Sequence, residues 1–224
     1  MADHYGHVLA LHLKTKGEFV LVGDLMRSLM VLRFDAVSGK LVVVSRDYGA
    51  SWLTAVEFLG QDSCVGADQD GNLTVFARSE DAEDAKLREV ACFHVGETVN
   101  CIRPGRLVQA DPTLLPHEVP PTPLVFAGTS GLIGLLQPLA PADFAFFKRV
   151  EEALSGTVWG LRHADWRAAR VGRTVKKHEG VVDGDLVETL LDLHAADQAR
   201  VAAALELPVL ELVSRVEALA RQIH

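Results

Sequence analysis

From the N-terminus to about residue 138, apolar residues come in short runs divided by Gly, Asp, Asn and Ser. The runs include HVLALHLKT, EFVLVGD, SLMVLRFD, KLVVVSRD, TAVEFL, SCVGAD, NLTVFAR and LVFAG. Val, Ile, Leu and Phe crowd them, and each is about five to eight residues long, which predicts strands and not helices. Turn signals fall between them at Gly17-Glu18, Ser38-Gly39, Asp70-Gly71-Asn72 and Ser130-Gly131.

Three segments share one design of strand, Gly-containing polar turn and strand: FVLVGDLMRSLMVLRF, SCVGADQDGNLTVFAR and LVFAGTSGLIGLLQPL. The first two lie about 44 residues apart. A period near 40–45 with four strands per unit is the signature of a propeller blade. The third follows at a longer distance because GRLVQADPTLLPHEVPPTP intervenes, an insert that holds five of the nine prolines and reads as an extended surface loop. Two to three blades do not close a ring, which takes at least about four. The expectation is a fragment that begins in mid-blade, or a chain whose ring is completed by other polypeptide.

From about residue 142 the period changes to helical. ADFAFFKRVEEAL puts Phe144, Phe147, Val150 and Leu154 on one stripe, and the last segment does the same with Leu212, Val213, Val216, Leu219, Ala220 and Ile223. Shorter helices are expected around Asp185–Leu193 and Ala195–Leu205, and Pro208 near the first turn of the last helix. The predicted fold is mainly β with α: the final blades of a β-propeller over 1–139, then a small helical C-terminal domain over 140–224. Helices this short need one another, or the propeller, to make a core.

Composition narrows the function classes. Hydrophobic residues at 49% and charged residues at 23% fit a folded chain. A net charge of −8 disfavours autonomous contact with phosphate backbones or anionic membranes. The three cysteines, Cys64, Cys92 and Cys101, form no C-x-x-C pair; each sits in an apolar run and is expected to be buried, in a reducing compartment. No signal peptide or membrane-length apolar run is visible.

The motifs that carry chemistry elsewhere have structural readings here. Asp183-Gly-Asp185 reads as a helix start, with Asp185 as N-cap and Glu188 as its capping-box partner, and not as a metal site. Gly128-Thr-Ser-Gly131-Leu-Ile-Gly134 lacks the lysine of a phosphate loop and reads as a hairpin turn. The histidines show no metal-ligand spacing, and Cys92 with His94 merely alternate on one strand. No cofactor is expected. Arg162, Arg167, Arg170, Arg173, Lys176 and Lys177 form the one basic stretch, interleaved with Trp159 and Trp166; it reads as a solvated face or a contact for an acidic partner. On composition Trp52 reads as core; at a propeller face it becomes an interaction anchor. Arg27, in the turn Asp24–Ser28, and Asn100, at the start of a strand, have no core duty and are candidates for a recognition face.

Taken together, HYGHVLALHLKTKGEFVLVGDLMRSL, RDYGASWLTAVEFL, FHVGETVNC, FAGTSGLIGLL and DGDLVETLLDL resemble the damaged-DNA-binding protein 1 family, the large adaptors of cullin-4 ubiquitin ligases, and in it the CPSF A subunit-like C-terminal region. The resemblance implies closing blades of a third propeller followed by a helical domain. It implies a non-catalytic adaptor role in DNA repair and protein ubiquitination, in nucleus and cytoplasm. The implied partners are WD40-type substrate receptors and the remaining propellers of the full-length adaptor, with DNA reached only indirectly. In that family the third and first propellers form a clam-like pocket for a receptor segment. The matching positions here are Leu11, Arg27, Arg46, Trp52 and Asn100. Two departures shrink its aromatic surface: His12 where the family usually has tyrosine, and Thr98 where it usually has phenylalanine. The alternative is a nucleic-acid-associated propeller subunit of a splicing or polyadenylation factor, resting on the basic stretch.

Overall fold

The computed structural model describes residues 6, 8–79, 85–106, 122–159 and 179–223. The basic stretch and most of the proline-rich insert lie outside them. The insert's described ends meet, the Gly105 N–H donating to the Pro123 carbonyl at 3.0 Å.

Eleven strands form three antiparallel sheets among the described residues. Sheet one runs β1 (Ala10–Lys16), β2 (Phe19–Asp24), β3 (Leu29–Asp35) and β4 (Lys40–Arg46). Sheet two runs β5 (Leu53–Phe58), β6 (Ser63–Asp68), β7 (Asn72–Arg78) and β8 (Leu87–His94). Among the described residues, sheet three runs β9 (Val99–Pro104), β10 (Leu124–Gly128) and β11 (Ile133–Leu136). Each is a meander of sequence neighbours, as in propeller blades. The turn glycines Gly17, Gly39, Gly71 and Gly131 all have positive φ, where the turn signals put them.

The repeat can be read from register. Leu21 faces Val31, Val65 faces Val75 and Val125 faces Leu135 across their hairpins, so equivalent positions lie 44 and then 60 residues apart. The longer second step carries the insert. Leu21, Leu29 and Val31 pack against Val56, Phe58 and Phe76 of the next sheet. The equivalent Val65, Leu73 and Val75 pack against Val99, Ile102, Leu124 and Phe126. The stack is therefore directional, head to tail. Gly134 is required within it, because a Cβ there would collide with the Phe126 ring.

The first strands β1, β5 and β9 lie side by side and are tied by polar contacts. His12 Nε2 lies 3.2 Å from the Leu53 carbonyl, Lys14 Nζ 2.6 Å from Glu57 Oε2 and 3.4 Å from the Ile102 carbonyl, and Lys16 donates to the Gly60 carbonyl at 3.0 Å. The Thr54 hydroxyl donates to the Val99 carbonyl at 2.5 Å. Residues 12, 14 and 16 share a face because successive strand residues alternate.

A carboxylate braces the second turn of each sheet. Asp24 accepts from the backbone N–H groups of Leu9, Met26 and Arg27 at 2.9–3.0 Å. Asp68 accepts from Asp70 and Asn72 at 2.9–3.0 Å. In sheet three the equivalent residue is Gly128, and Glu97 reaches in from the preceding loop, its Oε1 accepting from Leu132 at 3.1 Å. A Cβ at Gly128 would collide with that Glu97 side chain. Burial pushes the Asp24 carboxyl up, but hydrogen bonds from Met26, Leu9, Arg27 and Val8 outweigh it and hold it below the usual carboxylate value. A depressed folded-state pKa gives stability that is present above the unfolded value of about 3.9 and lost as pH falls through the folded one. The melting difference between the native chain and Asp24→Asn should therefore hold constant down to about pH 4 and shrink below it.

The second unit is helical. It comprises α1 (Pro141–Ser155), α2 (Gly184–Glu188) running into a 3-10 turn (Thr189–Asp192), α3 (Ala195–Ala204) and α4 (Val209–Ile223). Phe147, Val150 and Leu154 share its core with Leu186, Val187, Leu190, Val201, Leu212, Val216 and Leu219, so the helices pack on one another. Phe144 stays half-buried, while Phe146 packs at the core's margin under the Arg215 guanidinium at 4.2 Å. The N-cap of α2 is Asp183, which accepts from Leu186 N–H, and not Asp185 as the capping-box spacing predicts. Burial of Leu186 and Val187 sets the helix phase and moves the cap two residues upstream.

Candidate functional site

In each sheet the odd strands begin and the even strands end on one side. The polar ties between β1, β5 and β9 advance in the same direction along each strand, so that side is common to all three sheets. This rim carries the turn Leu25–Ser28, the connection Asp47–Trp52, the turn at Gln69–Gly71, the loop Val95–Thr98 and the turn Thr129–Leu132.

All five residues predicted from sequence fall on it. Leu11 is the extra residue of a β-bulge, since Ala10 pairs Asp24 while His12 already pairs Gly23. Asn100 is its repeat equivalent in β9, where Gly128 pairs Val99 and Ala127 pairs Cys101. A bulge re-aims its side chain out of the ladder's alternation, and both residues are exposed. Thr54 holds the same position in β5, but spends its hydroxyl on the Val99 carbonyl and closes the gap between sheets. Arg27 is exposed in the β2–β3 turn, its Nη1 3.4 Å from the Gly6 carbonyl. The next residue, Ser28, is held at φ 57, a conformation costly for a non-glycine residue. Arg46 ends β4 half-buried, its guanidinium 4.7 Å over the Tyr48 ring.

Trp52 is 50% exposed, which corrects the reading of it as core. Leu53 takes the inward position at 2% exposure, and strand alternation turns its neighbour outward. Two rim residues went unsingled in the sequence, Met26 and Tyr48, exposed at 61% and 64%. The available signal was their adjacency to Arg27 and Arg46 in turns. His12 turns toward the Leu53 carbonyl, and the Thr98 carbonyl accepts from Thr129 N–H at 3.0 Å.

The rim thus combines exposed apolar and aromatic surface with two guanidiniums. Such a surface can seat the apolar face of a peptide segment while the forked arginine donors take its carbonyls or carboxylates. Among the described residues no three His, Cys, Asp or Glu side chains are grouped to hold a metal ion. His94 uses its ring on Asn72 Oδ1 at 2.9 Å, and the Thr74 hydroxyl donates to Cys92 Sγ. No described helix is long and apolar enough to cross a membrane.

The cysteines differ from expectation at one position. Cys64 and Cys92 are buried, but Cys101 is exposed, because β9 alternates and turns it to the face of sheet three away from sheet two. Burial, with a smaller contribution from Asp47, pushes the Cys64 thiol up to about 12. A maleimide at pH 7.5 should label Cys101 first, and Cys64 only on unfolding, since the thiolate is the reactive species. Peptide mapping of singly labelled protein checks this.

A family model described as the CPSF A subunit region matches residues 1–192. The chain is 36% identical over 225 residues to DNA damage-binding protein 1b of Arabidopsis thaliana, covering 97% of this chain and 20% of that protein. Identity is again 36% over 225 residues to DNA damage-binding protein 1 of Solanum lycopersicum, and 33% to that of Oryza sativa subsp. japonica, with the same coverage. The chain spans about a fifth of the length of these curated relatives.

Proposed function

Because the chain belongs to the CPSF A subunit region family, we propose that it is a non-catalytic protein-interaction scaffold whose rim of Leu11, Arg27, Arg46, Trp52 and Asn100 takes a segment of a WD40-type substrate receptor. In this reading it is part of an adaptor that links such receptors to a cullin-4 RING ubiquitin ligase, in nucleus and cytoplasm. The observation that carries the reading is Trp52, half exposed at the end of the connection that follows Arg46 and outside the hydrophobic clusters. Trp and Arg are the residue types that dominate interface energetics.

Leu11 and Trp52 pack the apolar side of the receptor segment. Arg27 and Arg46 hold its carbonyls or carboxylates, and Asn100 satisfies main-chain groups. The remaining propellers of the full adaptor supply the opposite wall of the pocket. The chain's relatives are named for binding damaged DNA; with a net charge of −8 this chain reaches DNA through a partner.

The test is capture of a purified WD40-type receptor by the immobilised chain in physiological salt. Retention that is saturable and competed by free chain supports the reading. No retention of any such receptor, with the immobilised chain folded, would overturn it.

A further inference from the structure

The connection after β4 reads Arg46-Asp-Tyr-Gly-Ala-Ser-Trp52, and hydrogen bonds fix its first residues on both sides. Toward β3, Met30 pairs with Arg46, and the Asp47 N–H donates to the Leu29 carbonyl at 2.8 Å. On the other side the Arg46 N–H donates to the Ala85 carbonyl at 2.8 Å, where Arg46 and Lys86 form a parallel bridge. The backbone then turns. Asp47 Oδ1 accepts from the Gly49 N–H at 3.1 Å, closing a turn around Tyr48. A Cβ at Gly49 would come within 2.9 Å of Asp47 Oδ2 and press on the carboxylate that makes this turn.

The turn sets the Tyr48 ring against the Arg46 guanidinium, with Cζ 4.7 Å from the ring centroid. The ring is 64% exposed, so it contributes little to a core. A ring face holds a guanidinium through its quadrupole and leaves the N–H groups around the edge of the fork to other acceptors. A carboxylate would hold the same cation by spending those donors. Arg78 shows that second arrangement: it lies over Phe19 at 5.4 Å and also pairs with Asp62. An arginine side chain is rich in rotamers, so ordering it beforehand lowers the entropy lost when a partner takes the fork.

We propose that Tyr48 is a positioning residue of the rim: its ring holds the Arg46 guanidinium in one plane, with the edge donors kept for the acceptors of the receptor segment. This rests on the function proposed for the rim and adds to it the residue that orders Arg46. The ring face is the acting part, and the phenolic hydroxyl has no role in the stack. Tyr48 therefore contributes to capture through Arg46, and its contribution disappears when the guanidinium does.

The test is surface plasmon resonance with the immobilised full chain and a purified WD40-type receptor. Tyr48→Leu, which keeps bulk but removes the quadrupole, should weaken binding about fivefold. Tyr48→Phe, which keeps the ring face, should recover the loss to within about twofold. In an Arg46→Ala background Tyr48→Leu should cost nothing further, since the ring acts through the guanidinium. Equal losses from Tyr48→Leu in both backgrounds would overturn the proposal, as would a loss in Tyr48→Phe as large as in Tyr48→Leu. A second measurement needs no receptor: NMR relaxation of the Arg46 Nε–H group in the full chain. It should report an ordered side chain in the native protein and in Tyr48→Phe, and a mobile one in Tyr48→Leu. A guanidinium as mobile in the native chain as in Tyr48→Leu would overturn the proposal even where the receptor binds. An ordered guanidinium released by Tyr48→Leu, in a native chain that captures no receptor, would instead remove the function proposed for the rim and leave the ordering of Arg46 by Tyr48 standing.

Discussion

Trp52→Ala is expected to weaken receptor capture by about thirtyfold, close to 2 kcal/mol, the usual size of an interface hot spot. Its thermal unfolding should stay within about 1 °C of the native chain, because the half-exposed ring lies outside the hydrophobic clusters. Arg27→Glu should lose a similar amount, by replacing forked donors with a charge that repels the acceptors they serve. A core role for Trp52 would give the opposite pattern: a large drop in melting temperature, with binding lost only in proportion. Surface plasmon resonance beside calorimetry on the same samples separates the two.

The second large effect is on stability. Lys14 and Glu57 join the first strands of sheets one and two, and Glu57 is 7% exposed. Removing the lysine alone leaves a buried carboxylate with an apolar neighbour in place of its ammonium. Lys14→Met should therefore cost about 3 kcal/mol, at the low end for a broken buried pair because Lys14 retains some solvent. The unfolding midpoint should drop by roughly 8 °C. The double variant Lys14→Met with Glu57→Leu should recover most of the loss, since the desolvation penalty disappears with both charges. Failure of the double variant to recover would mean that the Lys14 contact with the Ile102 carbonyl, and not the ion pair, holds the sheets.

Strands and helices were legible because each kind of element imposes its own period on the apolar residues. The residues of β2, β3, β6 and β7 alternate or run apolar as their burial requires. The stripe at Phe147, Val150 and Leu154 needs only helical spacing. What sequence could not supply is register. Leu11 and Asn100 were singled out for other reasons, and nothing in the string reveals that both are bulge residues at one repeat position, since a bulge exists only relative to its partner strand. The same limit explains Trp52 and Cys101. Each lies beside an inward residue, Leu53 or Ile102, and a shift of one residue reverses a side chain's face. At Asp183-Gly-Asp185 two carboxylates competed for one cap, and tertiary burial of Leu186 decided between them.

The most direct test of the account is hydrogen-exchange mapping of the chain bound to a WD40-type receptor. Protection is expected at Leu25–Ser28, at Asp47–Trp52 and at the start of β9, with little change in the turns at Gly17 and Gly39 on the opposite side of the sheets. Protection confined to that opposite side, with Leu25–Ser28 and Asp47–Trp52 exchanging as freely as in the unbound chain, would contradict it.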